Sequence, residues 1–495
     1  SRPFTFGAVY RTHLSYSQPT TMEYDLLCAL LLGFGNMFLF MGYDTHLTIV
    51  EPVLHSVHDR YPDSVSAHAG FYGCGLSTLI FMITTFISPY VLSILGSKYT
   101  LLLGSLLYTI HLASFQYIHY LPYYLTSAAL GFGNALFYSG NGGYLTEHST
   151  KNTIQRNSAV TWGLATSCLI AGGGMLVATA RKHPSIGEHS ENSTLIMPDT
   201  GILNGTTSAA HKPKSYRQFS DDEIRIMYGA FAGVLFLSNV VYAIMPTKPV
   251  ENAIAAPARK QRIPFSDQMK KTFITFMDVR AVELIPLMFL IGLSTSFFVG
   301  AYPASLVFSN SLTGFIYLPA LHLAMISVGE ILMSLIISVA VPRINNFAQL
   351  PSLFFGSALF FIAMVLSVLS TPPEAINSPS NTPTPLLEPS PYICLIISLL
   401  LGMSDNTFNT SRSVLCALVI PDGIAQVYSM SRFFQALASS IVYLCLPMMS
   451  MPLYAGIVSL NCLLAVFFYW RAGKRLRRTE EKAERSAGSL DSARC

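Results

Sequence analysis

The chain has 495 residues, 51% of them hydrophobic and only 11% charged, with a formal net charge of +4 and a mean hydropathy of +0.46. A soluble domain carries about 25% charged residues, so a water-facing surface of this size is excluded and lipid is the expected solvent. The 30 basic and 26 acidic residues nearly cancel, and nothing in that balance points to nucleic acid.

The first apolar run, 26–43, is long and lacks a small-residue cleavage site, so it is expected to act as an uncleaved signal anchor. A spanning helix needs about 20 apolar residues. Further windows follow at 69–95, 100–118, 122–145, 159–180, 226–245, 281–302, 314–341, 350–370, 391–411, 425–446 and 451–470, which makes twelve expected spans. Cys28, Cys74, Cys168, Cys394, Cys445 and Cys462 fall inside these runs without CxxC spacing and read as free core thiols.

Lys and Arg are enriched on cytoplasmic loops. Placing the N-terminus inside puts Lys98, Lys151, Arg156, Arg343, Arg412 and the basic tail from Arg471 on that side. The opposite side then receives an acidic, His-rich loop from Asp44 to His68 and a Pro-rich loop from Thr371 to Pro391. It also receives the long loop 181–225, whose Asn192-Ser-Thr and Asn204-Gly-Thr are glycosylation sequons.

The expected organisation is therefore a cytoplasmic segment at 1–25 and a six-helix half at 26–245 that includes the glycosylatable loop. A cytoplasmic loop at 246–280 follows, then a second six-helix half at 281–470 and a basic, disordered cytoplasmic tail at 471–495. Phe265, Met269, Phe273 and Phe276 recur at helical spacing within the central loop, which predicts a helix lying in the membrane interface.

Four spans share one pattern: apolar, Gly, apolar, small, polar. It reads Leu32-Gly33-Phe34-Gly35-Asn36 in the first, Leu130-Gly131-Phe132-Gly133-Asn134 in the fourth, Ile291-Gly292-Leu293-Ser294-Thr295 in the seventh and Leu401-Gly402-Met403-Ser404-Asp405 in the tenth. A three-helix unit used four times, with alternate units inverted, gives this placement, and it is the plan of the major facilitator fold. The fold class expected is thus an all-α membrane protein of twelve transmembrane helices in two pseudo-symmetric six-helix halves.

In that plan the first helix of each unit lines a central cavity. Gly and Ser allow backbones to approach, and the polar fifth position faces the cavity rather than lipid. Asn36 and Tyr43 lie seven residues apart, as do Asn134 and Asn141 with Tyr138 between, so each set shares a helix face. The candidate cavity residues are Asn36, Tyr43, Asn134, Tyr138, Asn141, Thr295 and Asn409, with interhelical hydrogen bonding as the alternative for the asparagines.

Asp405 and Glu330 sit deep in apolar windows, where a charge costs at least about 2.5–3.5 kcal/mol. They are candidates for proton coupling, or for an ion pair with Arg432 or Arg412. His111 and His322 read as packed or interfacial. No phosphate loop, nucleophile–base pair or metal-ligand spacing stands out, so neither an enzyme nor a metal or other cofactor is expected.

The stretches SLLLGMSDNTFNT (398–410), RNSAVTWGL (156–164), YLT (144–146) and SVGEIL (327–332) resemble the uncoordinated-93-like branch of the major facilitator superfamily, over most of the chain. Of the superfamily's Gly-rich basic motif between spans two and three, only Gly96-Ser97-Lys98 remains. The resemblance implies either a secondary transporter of a small solute or an accessory membrane protein. Members of the branch resemble subunits of a two-pore potassium channel or trafficking chaperones of innate immune receptors. The expected partners are the bilayer and either a small solute or another membrane protein; the location expected is multi-pass in a membrane.

Overall fold

The computed structural model describes residues 19–150, 152–180, 216–254, 264–340, 343, 350–419 and 424–492; both sequons lie outside them. In chain order the helices are α1 (Pro19–Arg60), α2 (Ala69–Thr84), α3 (Ser88–Leu95), α4 (Ser97–Ala113), α5 (Tyr120–Glu147), α6 (Ile154–Thr166), α7 (Cys168–Ala180) and α8 (Asp221–Ile244). The second half brings α9 (Phe265–Met277), α10 (Val279–Val282), α11 (Ile285–Ser296), a π turn at Phe297–Ala301, and α12 (Tyr302–Phe308). The last five are α13 (Leu318–Ala340), α14 (Leu350–Ser370), α15 (Pro391–Val419), α16 (Ile424–Cys445) and α17 (Met451–Ser492).

Helix, whole or broken, occupies every apolar window. Among the described residues eight helices are long and apolar enough to cross a membrane, and the bent pair α2–α3 makes a ninth. α4, with 17 residues, falls short of that measure in length. α5 and α16 fall short because they give polar faces to the interior, with Asn134, Tyr138 and Asn141 on one and Arg432, Gln435 and Ser439 on the other.

The 68° bend between α2 and α3 has a local cause. Pro89 lies in the first turn of α3 and disfavours helix at Ser88. Thr84, Thr85 and Ser88 return their hydroxyls to the carbonyls of Ile80, Phe81 and Thr85 at 2.7, 2.8 and 3.2 Å, a habit that bends helices. α8 starts in a capping arrangement: Ser220 accepts from the Glu223 N–H at 3.2 Å, and Asp221, Asp222 and Glu223 place negative charge on the helix N-terminus.

The glycines of the fourfold pattern explain how the units pack. A Cβ on Gly33 would lie 2.8 Å from Leu164 of α6. On Gly131 it would strike the Ser77 carbonyl of α2, on Gly292 the Gln435 carbonyl of α16, and on Gly402 the Ile326 carbonyl of α13. So span one meets five, four meets two, seven meets eleven and ten meets eight. That is one contact repeated under the internal symmetry of each half. Tyrosines follow the same scheme: Tyr242 of span six bonds Asn36 of span one, Tyr108 of span three bonds Asn134 of span four, and Tyr454 of span twelve bonds the Leu293 carbonyl of span seven.

Two extensive seams join the halves, and α1 also touches α12, where the His55 and Phe308 rings lie 5.2 Å apart. At one, α2 meets α16: Ser440 donates to the Gly75 carbonyl at 3.1 Å, and a Cβ at Gly75 would meet Leu444. At the other, α6 and α7 meet α13: Ser327 donates to the Thr166 carbonyl at 3.2 Å, and a Cβ at Gly173 would lie 2.7 Å from the Ala320 carbonyl.

Two stretches differ from the sequence reading. Residues 44–60, expected in a loop, continue α1, because their polar side chains face other helices: Thr45, His46, Thr48 and Glu51 are all buried. The stretch from Arg471 continues α17 as helix to Ser492, as its Glu, Lys, Arg and Ala composition favours. The central loop does contain a helix, α9, and its Phe276 packs on Phe86 and Phe433 at ring distances of 5.6 Å each.

Candidate functional site

A cavity of about 130 Å³ lies between the halves. Its wall takes Phe40, Tyr43, Asp44 and His46 from α1, Cys74 and Ser77 from α2, His111 from α4, and Asn134 and Tyr138 from α5. The second half adds Thr295 and Ser296 of α11, Val299 of the π turn, and Gln435, Ser439 and Tyr443 of α16. A cavity of about 150 Å³ holds benzene, so this one suits a small molecule, and its wall mixes rings with hydrogen-bonding groups.

The first half supplies a rigid wall. Tyr108 donates its hydroxyl to Asn134 Oδ1, and Asn134 Nδ2 donates to the Leu130 carbonyl at 3.2 Å. The Tyr43 and Tyr108 rings meet edge-on at 4.8 Å. His46 Nδ1 is 3.0 Å from the Tyr228 hydroxyl, His111 Nδ1 is 3.2 Å from Thr126 Oγ1, and the two imidazoles lie 5.2 Å apart. His111, read from sequence as packed or interfacial, thus stands on the cavity wall, while His322 is packed.

A polar chain leads from this wall into the second half. The Arg432 guanidinium lies over the Tyr138 ring at 3.9 Å and donates to Gln435 Oε1 at 3.1 Å. Arg412 donates to the same oxygen at 2.9 Å and to Asn409 Oδ1 at 2.7 Å. Asn409 in turn donates to Asp405 Oδ2 at 2.9 Å. Asp405 therefore reaches Arg412 through Asn409, and its other oxygen, Oδ1, is buried without a hydrogen-bond partner among the described residues.

Glu330 of α13 lies within electrostatic reach of both Asp405 of α15 and Asp44 of α1. Asp44 Oδ2 also faces Cys168 Sγ at 3.9 Å. Glu330 thus stands within electrostatic reach of one further carboxylate in each half.

At the cavity wall, span seven changes register. Its π turn carries Val299, and the Phe298 carbonyl within it accepts from His322 Nε2 at 2.7 Å. His322 Nδ1 faces Ser398 Oγ at 2.8 Å, so the imidazole bridges spans seven and ten. π turns inside α-helices occur often at functional sites.

Of the residues singled out from sequence, Tyr43, Asn134, Tyr138 and Thr295 stand on the cavity wall. Asn36 and Asn141 bond each other at 2.9 Å, and Tyr242 donates to Asn36 at 2.8 Å; the three pin α1, α5 and α8 together rather than facing the cavity. Asn409, Asp405 and Arg432 belong to the polar chain, and Glu330 to the carboxylate group. Sequence reasoning missed Asp44, His46 and Gln435. The signal for two of them was present: Leu47 and Asp44 extend the helical stripe of Asn36 and Tyr43, and Gln435 lies one turn past Arg432.

Similarity to known proteins agrees with this architecture. A peptide transporter POT in complex with sulfate has a TM-score of 0.62 at 10% identity, over 92% of this chain and 95% of that one. UNC93-like protein MFSD11 of Xenopus laevis is 22% identical over 438 residues, covering 84% of this chain and 89% of that protein. Protein unc-93 homolog A of Bos taurus is 24% identical over 442 residues, covering 85% and 87%. The fold is thus that of major facilitator membrane proteins, not of an enzyme, and the chain is a multi-pass integral membrane protein. The family described as "Ion channel regulatory protein UNC-93" matches residues 61–470, and the chain belongs to that UNC-93 family.

Proposed function

We propose that the protein is a secondary transporter of a small polar or aromatic solute, coupled to protons through Asp44, Glu330 and Asp405. The observation that carries this reading is the cavity itself: it lies between the halves, takes wall residues from both and pairs rings with hydrogen-bonding groups. Glu330 is repelled by Asp405 on one side and Asp44 on the other, so a proton or cation taken up at Glu330 relieves both pairs. The orphaned Asp405 Oδ1 is a ready acceptor for either.

A single cysteine at Thr295, in a background without native thiols, tests this with impermeant thiol reagents applied to sealed vesicles of either orientation. Transport requires labelling from both faces, with a rate that changes several-fold with pH and loses that change in Glu330→Gln with Asp405→Asn. Access from one face alone, under every condition, would sink the reading.

A second reading has the family description in its favour: regulation of another membrane protein, with partner contacts on the outer helix faces. It expects a partner protein to co-purify in near-equal amount from mild detergent, and a cavity that never alternates.

A further inference from the structure

Away from the cavity, the junction of α1 and α2 gathers three side chains that the linear sequence separates. Glu51 and His55 are four residues apart on α1 and share a face. His68 precedes α2 directly. Their potential ligand atoms all lie within 4.8 Å of one another. We propose that Glu51, His55 and His68 form a binding site for a zinc-class divalent cation, independent of the solute reading above.

The chemistry of the set selects the ion. Two imidazoles and one carboxylate suit zinc and its first-row neighbours, while calcium and magnesium take oxygen ligands. Zinc bonds of about 2.0–2.1 Å in a tetrahedron place ligand atoms about 3.3 Å apart. Glu51 Oε1 and His68 Nδ1 already stand at 3.2 Å. The three residues leave a fourth position for water or an exchangeable ligand.

The surroundings hold the ligands as a metal site requires. His55 Nδ1 donates to the Ala67 carbonyl at 2.9 Å, which leaves Nε2 with its lone pair. The Phe71 N–H donates to Glu51 Oε2 at 2.9 Å and orients the carboxylate. Glu51 is buried, whereas the His68 side chain is 25% exposed and gives an entry path. Gly70 makes the approach of α2 possible: a Cβ there would lie 2.6 Å from Glu51 Cα. His58, nearby, is held separately by the Val65 carbonyl at 2.8 Å. The sequence showed no ligand spacing because this region read as a loop.

The test uses the full chain, purified in detergent with a tag free of histidine. Cobalt(II) chloride is titrated and its visible absorption read, and zinc chloride is then used to displace it. One cobalt per chain with a tetrahedral-type spectrum, displaced by zinc, is expected. Binding should weaken at least tenfold in Glu51→Gln and in His55→Ala with His68→Ala, and be unchanged in His58→Ala. A wild-type protein that gives no such spectrum overturns the site outright, whether or not any variant folds. So does stoichiometric binding that His55→Ala with His68→Ala leaves intact. If that double variant elutes as aggregate, Glu51→Gln and His55→Gln are read singly, and unchanged binding in both overturns the proposal.

Discussion

At the scale of single residues, the buried polar side chains of this protein act in sets. Asn36 holds two partners, Asn141 and Tyr242, from two other helices. Replacing it with leucine leaves both partners unmatched inside the bundle. Asn36→Leu is therefore expected to cost about 1–2 kcal/mol of stability, read as a lower unfolding midpoint in detergent, while the Thr295 labelling pattern is preserved. A labelling pattern lost along with the midpoint would place Asn36 in the solute path instead. The polar fifth position of the repeat could be found from sequence, but its use could not. Asn134 and Asn36 look alike in the linear chain, yet only the first reaches the cavity. Each is bonded by a tyrosine from a third helix; what separates them is Asn141 of span four, which accepts from Asn36 and has no counterpart at Asn134. Asp44 and His46 were hidden for a different reason: hydropathy falls after Tyr43 because the helix there faces protein, and a hydropathy scan reads such a fall as the end of a span.

Among elements, the repeat does its work through backbone contact. Gly402 sits where any side chain would strike the Ile326 carbonyl, and backbone cannot move aside as a flexible side chain can. Gly402→Val is expected to cost about 1–3 kcal/mol by overpacking and to lower the folded yield. Gly456→Ala, at a glycine with no heavy atom within 4 Å of the added Cβ, should match or exceed the parent in the same measurement. Equal losses at both positions would mean that helix propensity, not close packing, governs these glycines. The four-span pattern was legible because close approach demands glycine at a fixed place in each unit. The π turn of span seven was not legible. FFVGA is ordinary apolar sequence; the turn stands just before Pro303, which cannot donate to the Val299 carbonyl, and His322 donates to the Phe298 carbonyl within it.

For the whole molecule, the halves meet most extensively at the two seams. At Gly173 the α7 backbone lies against the Ala320 carbonyl, so a larger side chain has to push α7 from α13. Gly173→Leu is expected to shift the balance between conformations, changing the labelling rate of a cysteine at Thr295 by roughly tenfold on one face, the effect of about 1.4 kcal/mol. An unchanged rate on both faces would mean that the seam stays closed throughout. α17 carries a consequence of its own. Its apolar part ends near Arg475, where Glu283 at the start of span seven holds Arg471 and Arg475 at 3.0 and 2.9 Å. The rest of the helix, to Ser492, adds about 25 Å of rod at 1.5 Å per residue. Bolted to the second half at its base, that rod acts as a pointer. A rotation of about 15°, the size seen when subunits rock, would swing its tip by about 7 Å. A spin label near residue 490 would then register the motion of the half from well outside the membrane, with the cavity left untouched.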